Sequence, residues 1–281
     1  LVALGAGIER DADEVWHITG VGLHGMISPV TPLDLGNSGT GVRLLMGVVA
    51  GQNITATFYG DASLSVRPMA RITDPLAEMG ADVTCRDGGL LPVTIAGAAN
   101  PMALSHRSKV ASAQIKSAIL LAGLNARGTT NIIEPHASRD HSESMLRHFG
   151  ASVQQHIDAD GAHHVTLAGE ATLRAADIIV PSDPSSAAFA IVAALITPQS
   201  NITLVGIGMN PLRTGLLPFK NIEKYQRFWH QDGFQNSRIP HKDRPKTSPD
   251  RPSWPQELPR SPRMTPRSGQ EHPKSVQDLP Q

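Results

Sequence analysis

Three stretches of this chain repeat one pattern: an apolar helical segment stops at Gly-Ala, and a strand, a turn and a second strand come after it. The copies are Leu1-Val2-Ala3-Leu4-Gly5-Ala6-Gly7-Ile8, Leu76-Ala77-Glu78-Met79-Gly80-Ala81-Asp82-Val83 and Leu146-Arg147-His148-Phe149-Gly150-Ala151-Ser152-Val153, their Gly-Ala pairs 75 and 70 residues apart. Glycine supplies the left-handed conformation that ends a helix. Asp- and Gly-rich turns come next at 11–13, 87–89 and 158–161, and Gly20, Gly97 and Gly169 close the copies. Upstream, a small polar residue opens an apolar helix at 37–50, 112–124 and 185–196. Each of these helices precedes a strand, at 54–59, 129–134 and 202–204. A second helix is expected at 64–79 and 138–149, and a leading strand at 176–181. The period exceeds that of solenoid repeats, so a few units packed pseudo-symmetrically about one centre are expected. The fold class is α/β (α+β), and only the second unit is expected to be complete.

Composition separates this body from the remainder of the chain. Residues 1–217 hold 23 of the 25 glycines, with 13 basic and 18 acidic residues. Residues 218–281 hold 11 of the 22 prolines, with 12 basic and 7 acidic residues and no alanine. Such a Pro-rich polar tract buries too little apolar surface to offset its ordering entropy, so a basic disordered tail is expected. Its abrupt composition suggests an altered reading frame or a fusion. The first residue, Leu1, falls inside a helical pattern, which suggests a missing beginning. One cysteine, Cys85, excludes a disulfide framework and a Cys-based zinc site. The longest apolar run, 187–196, is well short of the roughly 20 residues that span a bilayer.

The helix starts carry the chemistry. Unpaired N–H groups and the helix dipole make them anion sites, the alternative being ordinary capping by Asn and Ser. Asn37-Ser38-Gly39-Thr40-Gly41 opens the first helix with small residues that admit a ligand to the backbone. Ser112-Ala113-Gln114 opens the second, near Arg107, Lys109 and Lys116, and Ser185-Ser186 opens the third. Packing about a shared axis would bring these ends together. Gly36-x-x-Gly39-x-Gly41 matches neither the Walker nor the dinucleotide pattern. Arg67, before Pro68, sits in a strand-to-helix turn where its charge opposes the dipole, which favours an anionic partner for its guanidinium fork. Arg139, at a second such junction, is either a ligand contact or the partner of Asp140 or Glu143. The twelve histidines show no metal-ligand spacing; His163 and His164 face opposite ways on a strand. Cys85 looks structural.

Several of these motifs resemble the signatures of the 5-enolpyruvylshikimate-3-phosphate synthase family. They are Leu35-Gly36-Asn37-Ser38-Gly39-Thr40, Gly60-Asp61-x-x-Leu64-x-x-Arg67-Pro68-Met69, Ser112-Ala113-Gln114-Ile115-Lys116-Ser117-Ala118 and Arg139-Asp140-His141. Asp183-Pro184-Ser185-Ser186-Ala187-Ala188-Phe189 and Asn210-Pro211-x-Arg213-x-Gly215 come next, in the family's order. The Ser-Ala-Gln wording is that of one bacterial subgroup. The resemblance implies two lobes of three βαβαββ units, with one lobe largely present here. Residues 1–181 would be that lobe's remnant, 182–217 the crossover and start of the second lobe, and 218–281 the tail.

The implied reaction moves the enolpyruvyl group of phosphoenolpyruvate to the 5-hydroxyl of shikimate 3-phosphate, without metal or organic cofactor. By position, Ser112, Ala113 and Gln114 would contact shikimate 3-phosphate. Arg67 would bind phosphoenolpyruvate, Gly39 beside Asn37 would line that pocket, and Arg139 would assist. The family's amino-terminal Lys-Ser and Arg would precede Leu1, and its acid–base groups would come after Leu217. No catalytic residue is therefore assigned, and the chain is expected to be inactive alone, as a cytoplasmic monomer that binds neither nucleic acid nor membrane. Two alternatives are a nucleotide-sugar enolpyruvyl transferase, for which Cys85 stands in the wrong context, and a non-catalytic binding protein acting through the basic tail.

Overall fold

A computed structural model describes residues 1–215; the tail expected at 218–281 lies outside them. The chain opens with a 3-10 turn, Val2–Leu4, and a hairpin of β1 (Gly7–Arg10) and β2 (Trp16–Thr19). Two complete units come after the hairpin, not one. The first runs β3 (Leu33–Asp34), α1 (Gly39–Ala50), β4 (Thr55–Tyr59), α2 (Ala62–Ser65), α3 (Ala70–Glu78), β5 (Asp82–Arg86), β6 (Leu90–Ala96). The second runs β7 (Ser105–Arg107), α4 (Ala113–Gly123), β8 (Thr129–Glu134), α5 (His141–His148), β9 (Val153–Ile157), β10 (His163–Ala168). Their sheets have the same order, β3-β4-β6-β5 and β7-β8-β10-β9, with one parallel pair and two antiparallel pairs each. This is the βαβαββ unit.

The Gly-Ala stops have one geometry. Gly5, Gly80 and Gly150 take φ of 102°, 101° and 92°. The following alanine N–H returns to a carbonyl five residues back: Ala6 to Leu1, Ala81 to Leu76, Ala151 to Leu146. This pairing satisfies carbonyls that the helix end leaves orphaned. The closing glycines also have a reason. A Cβ on Gly97 would lie 2.0 Å from the carbonyl oxygens of Val49 and Gln52, and one on Gly169 1.8 Å from that of Ala126. Of the three closing glycines, Gly20 alone has open space.

Helices α1 and α4 pack side by side. A Cβ on Gly47 would come within 2.3 Å of the Ala118 carbonyl oxygen, and one on Gly51 within 2.7 Å of that of Ala122. Small residues one turn apart thus let the backbones touch and align the helix starts. Around this seam lies the core, with Val42, Met46, Phe58, Leu76, Ile95, Ile119, Ile132 and Val165 all fully buried.

Three expectations are corrected. The helix expected at 64–79 is broken into α2 and α3, because a residue before proline is driven out of the α region and Arg67 precedes Pro68. The segments 176–181 and 202–204 form no strand. A strand exists through its ladder, and near them only the single bridge Ser182–Ile207 forms among the described residues. Helix α6 (Pro184–Ile196) starts one residue before Ser185, capped by Asp183.

Candidate anion-binding site

The starts of α1 and α4 meet through side chains. Gln114 Nε2 donates to Thr40 Oγ1 at 2.8 Å, and Gln114 Oε1 accepts from Arg43 Nη1 at 2.9 Å. Arg43 Nη1 also donates to the Gly39 carbonyl at 3.1 Å. A Cβ on Gly39 would stand 2.8 Å from Arg67 Nη1 and 3.3 Å from Arg43 Nη1, so two guanidiniums converge over a position that only glycine leaves clear. Arg67 Nη2 donates to Asn37 Oδ1 at 2.6 Å and to Ser63 Oγ at 3.0 Å, which fixes its fork. Asn37, Gly39, Arg67 and Gln114 thus share one connected cluster.

Beside it, Ser112, Ala113, Gln114 and Arg139 line a hollow of about 550 Å³, with His136, Ala137, Ser138, Leu212 and Arg213 on its other walls. The seven residues that the resemblance places at the substrates all fall in the cluster or the hollow, and Ser185-Ser186 fall in neither. Gln114 belongs to both.

The field is positive. Arg43 is buried, with its Nε unpartnered, and its pKa is held below the ordinary arginine range, first by burial, then by Arg71 and Arg67. Among the described residues no carboxylate pairs with Arg43, Arg67 or Arg139. Asp140 instead accepts from Asn210 Nδ2 at 2.6 Å, and Glu143 is engaged by Lys116, which leaves Arg139 to the hollow.

The three helix starts differ. Ser38 Oγ caps α1 by accepting from the Gly41 N–H at 3.1 Å. The Ser112 side chain makes no cap bond, although the residue stands at the same place on α4. At α6 the carboxylate of Asp183 occupies the cap. Its pKa is lowered chiefly by the Ser185 N–H, with Ser186 and Arg213 adding to it. Ser185-Ser186 therefore opens no anion site, because an anion is already built in.

Sequence reasoning missed Arg43, Ser138 and Glu134. For Arg43 the available signal was a lone arginine one turn into an otherwise apolar helix. Cys85 is exposed on the edge strand β5, not packed into the core, and contributes nothing to the hollow. Among the described residues no group of three His, Cys, Asp or Glu stands in a metal-holding arrangement. No helix among them is long and apolar enough to cross a membrane.

Fold and site together define an α/β protein of repeated βαβαββ units with a cationic hollow where two helices begin. The chain matches the family described as EPSP synthase (3-phosphoshikimate 1-carboxyvinyltransferase) over residues 1–250, and it belongs to that family. It is similar to the 3-phosphoshikimate 1-carboxyvinyltransferase of Granulibacter bethesdensis, 58% identical over 215 residues, 76% of this chain and 47% of the relative. The enzyme of that name from Rhodopseudomonas palustris is 56% identical over 216 residues, covering 76% and 48%. The solved EPSP synthase of Acinetobacter baumannii superposes with a TM-score of 0.67 at 43% identity, covering 75% of this chain and 46% of that one. The chain thus spans about half the length of the curated relatives it matches.

Proposed function

We propose that residues 33–213 supply substrate-binding groups for enolpyruvyl transfer from phosphoenolpyruvate to the 5-hydroxyl of shikimate 3-phosphate, with release of phosphate. On this reading the hollow takes shikimate 3-phosphate on Ser112, Ala113, Gln114 and Arg139. Phosphoenolpyruvate sits against Arg67, Asn37 and the bare backbone of Gly39. The carrying observation is the hydrogen-bonded run Gln114–Arg43–Gly39, which joins the two subsites under unneutralised arginines.

In the reaction the methylene carbon of the enol takes a proton and becomes a methyl group, and the 5-hydroxyl oxygen gives up its proton as it bonds to the resulting cationic carbon. The tetrahedral intermediate then loses phosphate together with one methyl proton, which restores the carbon–carbon double bond. None of these steps changes an oxidation state or needs an electron sink, so fixed charges and proton-transfer groups are what the reaction asks of a protein. Both substrates are anions, and fixed cations with backbone donors supply their counter-charge without reorganisation. The working protein is taken to be a cytoplasmic monomer. Residues 1–181 are assigned to one lobe, with the crossover to a second from 182. In support, α6 has a single buried residue, whereas its counterparts α1 and α4 are largely buried.

Calorimetric titration with shikimate 3-phosphate tests the reading. Binding is expected, weakened tenfold or more in Gln114→Ala and less in Ser112→Ala, the loss that goes with removing a hydrogen bond to a charged ligand. An absence of binding heat, or binding indifferent to both substitutions, overturns it.

A further inference from the structure

Behind the hollow lies a buried charge cluster that the proposed chemistry does not use. Lys116 Nζ stands 3.0 Å from Glu134 Oε2 and 2.7 Å from Glu143 Oε1, and all three side chains are 0–1% exposed. Glu134 has further partners. Its Oε1 accepts from the Ser112 N–H at 2.8 Å, and the Ser138 hydroxyl donates to the same carboxylate at 2.8–2.9 Å. Ser112 begins one wall of the hollow and Ser138 the other. One carboxylate therefore ties the two walls together from behind, with Lys116 holding it from α4 and also donating to the Ser138 carbonyl at 3.3 Å.

The sister unit shows that the fold does not require these charges. Thr40 and Gln114, 74 residues apart, occupy matching places, and the same offset carries Val42 onto Lys116 and Gly60 onto Glu134. Counting back from the Gly-Ala stops matches Thr73 with Glu143. In that unit the turn after β4 is joined backbone to backbone to the turn before α1: the Asp61 N–H donates to the Gly36 carbonyl at 2.9 Å. A Cβ on Gly60 would lie 2.6 Å from that oxygen, so there is no room for a spacer. In the 105–168 unit a three-bond side chain spans the gap, and the hollow occupies the opening. Buried ions cost several kcal/mol each in desolvation, and apolar substitutes are often as stable, so their retention here points to placement, not to stability.

We propose that Glu134 is a positioning residue: by bonding the Ser112 amide and the Ser138 hydroxyl together it sets the width of the hollow, and so its fit to shikimate 3-phosphate. The inference rests on the function proposed for the hollow. It separates Glu134 from Arg67, whose fork is held by Asn37 and Ser63, neither of which bonds to Glu134.

The test compares wild type with Glu134→Gln and with Glu134→Asp, which keeps the charge but is one carbon shorter. Calorimetry measures shikimate 3-phosphate and phosphoenolpyruvate separately, and amide-correlated NMR follows the Ser112 N–H, whose proton a carboxylate acceptor pulls downfield. The Ser112 signal is expected to move upfield in both variants. Affinity for shikimate 3-phosphate falls about tenfold or more, the loss expected when a binding wall is mis-set, while phosphoenolpyruvate changes less than about twofold. A folded variant that keeps its shikimate 3-phosphate affinity, or that loses both ligands equally, overturns the inference. Should Glu134→Gln fail to fold, Glu134→Asp carries the same comparison. If wild type binds neither ligand, the proposed function falls. The NMR arm then decides the placement, with unchanged Ser112, Ala113 and Gln114 signals overturning it.

Discussion

The 33–96 and 105–168 units share strand order, pairing and helix stops, yet they fill matching interior positions with opposite chemistry. Val42, Gly60 and Thr73 in the first correspond to Lys116, Glu134 and Glu143 in the second. In the first unit the turns before α1 and after β4 are joined through backbone and the helix start is capped by its own serine. The second unit's walls stand apart, its capping serine is unused, and a hollow lies between. The fold thus accepts either a neutral plug or a buried ion cluster at one place. What differs is whether the helix start is closed by its own serine or left open beside the hollow.

The largest test of that contrast is truncation of the ion cluster. Lys116→Met leaves two carboxylates buried without their cation and is expected to lower stability by about 3–5 kcal/mol. Val42→Ala at the matching place removes only apolar contact and should cost roughly half as much. Chemical denaturation of the two variants gives the comparison, and equal losses would mean that the cluster is no more than filling.

The closing glycines give a smaller effect, and here the units should agree. Gly97→Ala and Gly169→Ala each force a Cβ onto a carbonyl oxygen and are expected to cost about 1–3 kcal/mol. Gly20→Ala, with open space around it, should stay within about 0.5 kcal/mol. Thermal melts of the three variants rank them, and a costly Gly20→Ala would break the assignment of Gly20 as the uncrowded copy.

What the sequence disclosed, and what it hid, depends on the range of each interaction. Gly5, Gly80 and Gly150 were legible because a positive φ is a local demand that glycine meets. Asn37, Gly39, Arg67, Ser112 and Gln114 were legible as helix-start residues, and the repeat implied that their ends gather. Arg43 was only marked as a lone arginine in an apolar helix, since the partner that gives it meaning, Gln114, lies 71 residues away. Glu134 looked like the end of a strand, because its meaning comes from Ser112, 22 residues earlier in the chain. The break between α2 and α3 was visible in Arg67-Pro68, yet the apolar period on either side suggested continuity. The segments 176–181 and 202–204 carry strand-like residues, but pairing is a property of the ladder and not of the segment. At α6, Asp183 takes the cap that Ser185 was expected to hold, since Pro184 sets the first helical position and puts the carboxylate opposite two N–H groups.

The serine pair sharpens the contrast at the scale of one hydrogen bond. Ser38→Ala removes the cap of α1 and should cost about 1 kcal/mol of stability. Ser112→Ala removes a hydroxyl that caps nothing, so its stability should hold while shikimate 3-phosphate binding weakens. The opposite pattern, a destabilised Ser112→Ala, would place that hydroxyl in the fold and take it out of the site.

The smallest expected effect is in pH. His163 in β10 pairs with Glu134 across the sheet and matches Leu91 in the sister unit, where β6 and β4 keep the same register. Its pKa is lowered from the ordinary histidine value, first by burial and then by Lys116, against the raising influence of Glu134, Glu143 and Asp140. Its Nδ1 is buried without a partner. A base whose folded pKa lies below its unfolded one binds more protons when unfolded. Its contribution is therefore full above about pH 6.5 and is lost as pH falls through the folded value. The carboxyls that departed downward, Asp11, Asp158 and Asp183, act only below the ordinary carboxylate pKa near 4, so the interval from pH 7 to 5 isolates the histidine from them. His163→Leu, the sister residue, should flatten the fall in denaturation midpoint across that interval. The ring is only part-buried, so the difference is expected to stay under about 1 kcal/mol after solvent screening. A midpoint that falls as steeply in His163→Leu as in wild type would assign the dependence to another group.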